Sequence, residues 1–148
     1  MTDVGTYNSG DIHVLHVDDE QEALWFSKIF LEGHEPSLTI DQCDSPFQAL
    51  KIFRERSYDC VVLDVAMPYL DGLDFVRRLR VFSRVPVILY THYSAEEIAE
   101  EAKSVGADYY IQKTFDPSHY EALAECIMKA VIMGPRVESK LRCTQSGR

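Results

Sequence analysis

Four short polar marks, each closing an apolar run, are the residues of this chain best equipped to do chemistry. Asp18 and Asp19 follow Ile12–Val17, Asp64 follows Cys60–Leu63, Thr91 closes the run 85–90, and Lys113 stands just past residues 109–111. If those runs are parallel strands, their carboxyl ends lie along one sheet edge and the marks converge. Adjacent carboxylates make a hard-oxygen site of the kind Mg²⁺ or Mn²⁺ takes, usually through one or two carboxylates with water completing the shell. Asp19 and Asp64 would bind the ion directly and Asp18 through water. Without a cation, carboxylates this close repel and raise one another's pKa. A carboxylate is also a nucleophile in phosphoryl transfer, and Asp64 is the candidate because the acidic pair suits the metal better. Lys113 would pair with phosphate oxygens and the Thr91 hydroxyl would donate to one. Positioning and charge neutralisation dominate such a reaction.

The elements that must position these groups alternate five times. Ile12–Val17 reads as a strand, and residues 20–31 as a helix with Phe26, Ile29 and Phe30 at helical spacing. Leu38–Cys43 is a second strand. Ser45, Pro46 and Gln48 then form a helix start, with an N-cap serine, proline in the first turn and a capping-box glutamine. Residues 58–65 are apolar almost throughout, as in a parallel strand covered on both faces. Residues 71–82 read as a helix with Val76, Leu79 and Leu73 inward. A fourth strand spans 85–91. Ser94 and Glu97 open the next helix and Gly106 ends it. A short fifth strand spans 108–112. The last helix begins at Asp116-Pro117 and carries Tyr120, Leu123, Ile127 and Val131 as an apolar stripe. Five such units imply a parallel sheet with helices on both faces and right-handed crossovers. Ligands of such sheets bind beyond the carboxyl ends of the strands.

The 148 residues fit one domain, and an apolar fraction of 46% argues against wholesale disorder. Residues 1–10 lack the basic start and apolar stretch of a signal peptide, and no run approaches a membrane span, so a cytoplasmic protein without membrane attachment is expected. Cys43, Cys60, Cys126 and Cys143 have no ligand-like spacing and read as free thiols. Of the net charge of −9, residues 134–148 contribute +3, which leaves −12 on the rest. That body is a poor match for a nucleic-acid backbone. Arg77, Arg80 and Arg84 read as a solvated helix face. The expected organisation is a lead at 1–10, a domain at 11–133 and a polar tail or linker at 134–148.

Jointly the marks resemble the receiver domain of two-component response regulators. The resemblance covers roughly residues 11–133. It rests on V-D-D-E at 17–20, L-D-V-A-M-P at 63–68, Asp71-Gly72, Thr91, and G-A-D-Y-Y-I-Q-K-x-F at 106–115. It implies a flavodoxin-like (βα)5 fold, a doubly wound five-stranded sheet of order 2-1-3-4-5. It also implies Mg²⁺-dependent transfer to Asp64 from a phosphohistidine of a histidine kinase or histidine phosphotransfer protein. Asp18, Asp19, Asp64 and the backbone carbonyl of Ala66 would hold the metal. Thr91 would move toward the phosphate and Tyr110 would rotate inward. The face of the fourth helix, fifth strand and fifth helix would then change its affinity for a protein target, in a monomer or weak homodimer. Thr114 departs from the family pattern, which has a cis proline there. A cis bond before a non-proline residue costs about 2.5–4 kcal/mol, so a trans bond and a shifted loop are expected.

Rival readings stay open. A pseudo-receiver would use the same fold as a phosphorylation-independent scaffold. An aspartate-dependent phosphatase would want an acidic residue where Ala66 stands. A flavin carrier would want a phosphate-cradling loop after the first strand. The leading reading is a signalling module and no metabolic enzyme, with self-phosphorylation and autodephosphorylation its only chemistry.

Overall fold

Short runs of aliphatic residues form the strands of this chain, and stretches with apolar side chains three and four apart form its helices. The computed structural model describes residues 12–64, 69–134 and 142–143, with 69–71 and 142–143 described by their backbone. In chain order the elements are β1 (Ile12–Val17), α1 (Gln21–His34), β2 (Leu38–Cys43), α2 (Pro46–Glu55), β3 (Cys60–Leu63) and α3 (Tyr69–Phe82). They continue with β4 (Val87–Thr91), α4 (Ala95–Val105), β5 (Tyr109–Gln112), α5 (Ser118–Met133) and β6 (Arg142–Cys143). All strands pair in parallel in the order β2-β1-β3-β4-β5-β6. The doubly wound order 2-1-3-4-5 is therefore present, and the region expected to be a polar tail adds a sixth strand against β5. No helix among the described residues is long and apolar enough to cross a membrane.

The two-residue period of a strand sends alternate side chains to opposite faces, and it divides the core. Leu15, Val17, Val61, Leu63, Val87, Leu89 and Tyr110 pack with Ala49 of α2, Leu73, Phe75, Val76 and Leu79 of α3, and Ile98 and Ala102 of α4. Val14, Val62, Ile88, Tyr90, Tyr109 and Ile111 face the other way, onto Leu31 of α1 and Leu123, Ala124, Ile127 and Ala130 of α5. Burial on both sides explains why these strands read as continuous apolar runs.

Local signals set several boundaries. Ser45 Oγ accepts from the Gln48 N–H, with proline in the first turn of α2. At α4 the capping box closes in both directions, Glu97 N–H to Ser94 Oγ at 3.2 Å and Ser94 N–H to Glu97 Oε1 at 2.8 Å. Gly106 ends α4 at φ +93°, and a Cβ there would lie 3.2 Å from Arg80 Nε, so both conformation and space call for glycine.

Two expectations about helix faces are corrected. The buried stripe of α1 is Leu24, Ser27 and Leu31, while Trp25, Phe26 and Ile29 stand more than half exposed. Aromatic residues surround that helix, so spacing alone did not single out its inner face. Arg80 is no solvated residue either. Its guanidinium donates to Asp108 Oδ2 at 2.7 Å, Val85 O at 2.8 Å, Gly106 O at 3.0 Å and Ser83 O at 3.3 Å. Asp108 also accepts from the Val87 N–H. This ion pair ties α3 to the connections that enter β4 and β5.

His16 lies in β1, 1% exposed on the α1/α5 side, and neither ring nitrogen has a hydrogen-bond partner. Burial first, then the charge of Lys113, pushes its pKa down to about 3, so the folded protein holds it neutral. Two outcomes are expected. Arg80→Ala strands a buried Asp108 and should cost about 3–5 kcal/mol, whereas Arg77→Ala should stay within about 0.5 kcal/mol. Urea midpoints distinguish them, and equal shifts would overturn the bracing role of Arg80. Below pH 6.5 the unfolded chain protonates His16 and the folded one does not, so stability falls as pH drops from 6.5 toward 3. Between pH 7 and 5 this contributes about 2 kcal/mol, which His16→Val should remove from the pH dependence of urea unfolding.

Candidate functional site

Parallel pairing brings the carboxyl ends of β1, β3, β4 and β5 to one edge, where backbone bonds set their relative heights. The Asp18 N–H donates to Cys43 O, the Asp64 N–H to Val17 O at 2.9 Å, and the Lys113 N–H to Thr91 O at 2.7 Å. Each polar mark is thus fixed to the strand beside it before any side chain is considered.

The side chains then converge. Lys113 Nζ donates to Asp18 Oδ2 at 2.8 Å and to Asp64 Oδ2 at 3.0 Å, and lies 3.9 Å from Glu20 Oε1. Asp18 is buried, its second oxygen accepting from the Glu20 N–H at 2.9 Å. Lys113 is 6% exposed. Its burial works against the ammonium, but the charges of Asp64 and Asp18 and the hydrogen bonds to both outweigh it and hold the pKa above its ordinary value. The shift expected from Thr114 does not separate the lysine from the carboxylates. The loop after it is held instead by Thr114 Oγ1 donating to Asp116 O and the Ser118 N–H donating to Asp116 Oδ1.

Carboxylate oxygens of Asp18, Glu20 and Asp64 lie within 4.8 Å of one another. Asp18 and Asp64 also border an open cavity of about 80 Å³, lined with them by Val17, Asp19, Asp44, Pro46 and Gly72. Asp19 stands exposed at its rim. One ammonium faces several carboxylates, so the cavity keeps an excess of negative charge. A clustered, all-oxygen donor set with that charge fits a hard divalent cation. Ala66 lies outside the described residues.

Thr91 is fully buried, and its Oγ1 accepts from the Tyr93 N–H at 3.4 Å. Tyr110, expected to rotate inward on phosphorylation, is already buried, its hydroxyl donating to Tyr93 O at 2.5 Å. The structure therefore brings Asp18, Asp64 and Lys113 into direct contact and links Thr91 to them through the main chain. Sequence reasoning missed Glu20, which was visible only as the last letter of V-D-D-E, and Asp44, just past β2. It also assigned nothing to His119, which is buried and hydrogen-bonded to Tyr90.

Comparison with known proteins places this arrangement. Residues 14–125 match the family model for the response regulator receiver domain. The transcriptional regulatory protein SrrA of Staphylococcus aureus is 32% identical over 133 residues, which is 90% of this chain and 49% of that protein. The chain thus spans about half the length of the curated relatives it matches. Among solved structures, a response regulator receiver domain protein from Clostridium thermocellum is 28% identical with a TM-score of 0.70, covering 82% of this chain and 95% of that one. The Francisella response regulator 1452 receiver domain is 27% identical with a TM-score of 0.71, covering 82% and 98%. The chemotaxis response regulator CheY4 of Vibrio cholerae, 24% identical with a TM-score of 0.69 over 78% and 98%, shares the fold. With its sheet order, its convergent edge and this match over most of its length, the chain belongs to the receiver domains of two-component response regulators.

Proposed function

We propose that this chain is a phosphoacceptor module of a two-component phosphorelay, with Asp64 taking a phosphoryl group from the phosphohistidine of a kinase or phosphotransfer protein. The observation that carries the reading is the Lys113 ammonium held between Asp18 and Asp64. Asp64 is placed to attack phosphorus, its carboxylate oriented by a hydrogen bond from a buried cation. As its oxygen bonds to phosphorus, the P–N bond breaks and the donor imidazole leaves with the electron pair, while Lys113 turns its N–H groups to the phosphoryl oxygens and Thr91 supplies a hydroxyl from the end of β4. Asp18, Asp64 and either Glu20 or Asp19 would hold Mg²⁺ or Mn²⁺, with the Ala66 carbonyl as a further ligand. That ion would neutralise the clustered carboxylates and the incoming phosphoryl oxygens.

The readout is a change in the surface formed by α4, β5 and α5, to which Thr91 and Tyr110 connect the site. The acidic body favours a protein target over nucleic acid. A second reading, a phosphorylation-independent scaffold, is favoured by one observation: Tyr110 is already inward. Phosphoryl uptake separates the two.

Incubated with Mg²⁺ and a small phosphoryl donor such as acetyl phosphate, the wild-type chain should gain one acid-labile phosphoryl group by intact-mass measurement. Asp64→Asn should gain none while keeping its fold. Failure of the wild type with both small donors and phosphohistidine proteins would favour the scaffold. Lys113→Met should uncouple the two roles of the site. Losing the opposing charge should tighten Mg²⁺ by roughly 1 kcal/mol, a several-fold change in calorimetric Kd, while phosphoryl uptake slows. Weaker Mg²⁺ binding in this variant would contradict the electrostatic assignment.

A further inference from the structure

Lys113 has a further neighbour, beyond its carboxylates, that the proposed chemistry does not use. Its Nζ lies 5.0 Å from the centroid of the Tyr90 ring. Tyr90 lies in β4 immediately before its last residue, Thr91, is 1% exposed, and points into the α1/α5 layer. Its hydroxyl and His119 Nδ1 share a hydrogen bond at 2.6 Å. His119 sits in the first turn of α5, buried, its N–H on Asp116 O and its ring 4.2 Å from that of Tyr120. On another side the His16 ring is tilted against Tyr90 at 6.0 Å. The tyrosine is therefore pinned by its hydroxyl from α5 and by its ring from β1, with one face turned to the ammonium.

A lysine ammonium is a compact charge on a flexible four-carbon stem. Two carboxylates hold it here, but both oxygens belong to groups whose charge environment changes when Asp64 is modified and a cation binds. The aromatic face does not change. It attracts the ammonium through the ring quadrupole, an interaction that strengthens when desolvated, and it blocks retreat into the layer below. We propose that Tyr90, anchored by His119, is a positioning residue for Lys113. It confines the ammonium to the arc between Asp18 and Asp64, so that it meets the phosphoryl oxygens on that group's arrival. The inference rests on the phosphoacceptor reading above and extends it to a tyrosine and a histidine that lie outside the acidic cavity.

The test is the calorimetric affinity of the full chain for beryllofluoride, a phosphoryl mimic, at saturating Mg²⁺. Tyr90→Leu removes the ring and should weaken binding about tenfold, the scale of a desolvated cation–π contact. Tyr90→Phe and His119→Gln keep the ring but release its anchor and should each weaken binding about two- to threefold. In a Lys113→Met background all three substitutions should have no effect, an outcome that a merely structural role would not give. Equal losses with and without the lysine would overturn the proposal, as would wild-type affinity in Tyr90→Leu. If Tyr90→Leu fails to fold, Tyr90→Phe and His119→Gln carry the same comparison. A wild-type chain that ignores beryllofluoride would overturn the phosphoacceptor reading itself. A wild type that binds while the variants bind equally well would overturn only the role of Tyr90.

Discussion

Bringing several carboxylates to one sheet edge creates a repulsion that the fold must offset, and the Lys113 ammonium between Asp18 and Asp64 is the group that does so. Because the three residues follow directly on β1, β3 and β5, their contact ties together, at the edge where a ligand enters, strand ends whose heights the backbone pairing has set. Reading outward, the Asp18 and Asp64 backbone amides lock β1 to its neighbours, and the Lys113 amide locks β5 to β4. The remaining negative charge is left facing a solvent-open cavity, where a divalent cation would complete the neutralisation. The same concentration of charge that threatens the fold thus defines what it can bind.

The rest of the molecule supports that edge unequally. On the α2–α4 side the layer is apolar, and its polar brace is Arg80, which fastens the end of α3 to the connections entering β4 and β5. On the α1/α5 side, polar rings intrude beneath the acidic residues. His16, Tyr90 and His119 occupy space that aliphatic side chains could fill, and the neutrality of His16 is enforced by burial and by the nearby ammonium. Stability and chemistry therefore share groups on one face and are separated on the other.

How much of this could be read from the sequence depends on how local the signal was. The strands, the α4 capping box and the glycine that ends α4 rest on neighbouring residues, and their positions followed from spacing. The order of the sheet came with the family resemblance. Asp18, Asp64 and Lys113 were legible because each ends an apolar run, which places it at an edge without knowledge of its contacts. Arg80 was misread because an arginine at helical spacing looks the same whether it faces water or Asp108. The face of α1 was misread because its aromatic residues outweigh the small Ser27 that actually points inward. The Tyr90–His119 hydrogen bond joins residues from different elements, and nothing in either residue's neighbourhood announces it. β6 is two residues long, too short for an apolar run to mark it.

That sixth strand changes what the sheet offers at its margin. A β5 strand left at the border would present a row of amides and carbonyls in the register of Tyr109 and Tyr110, open to any extended chain. Here Arg142 and Cys143 pair with those two residues. The outermost strand is two residues long, too short to template the growth of a further sheet. Among the described residues, the backbone groups of Tyr109 and Tyr110 on that flank are thus paired within the chain instead of standing open.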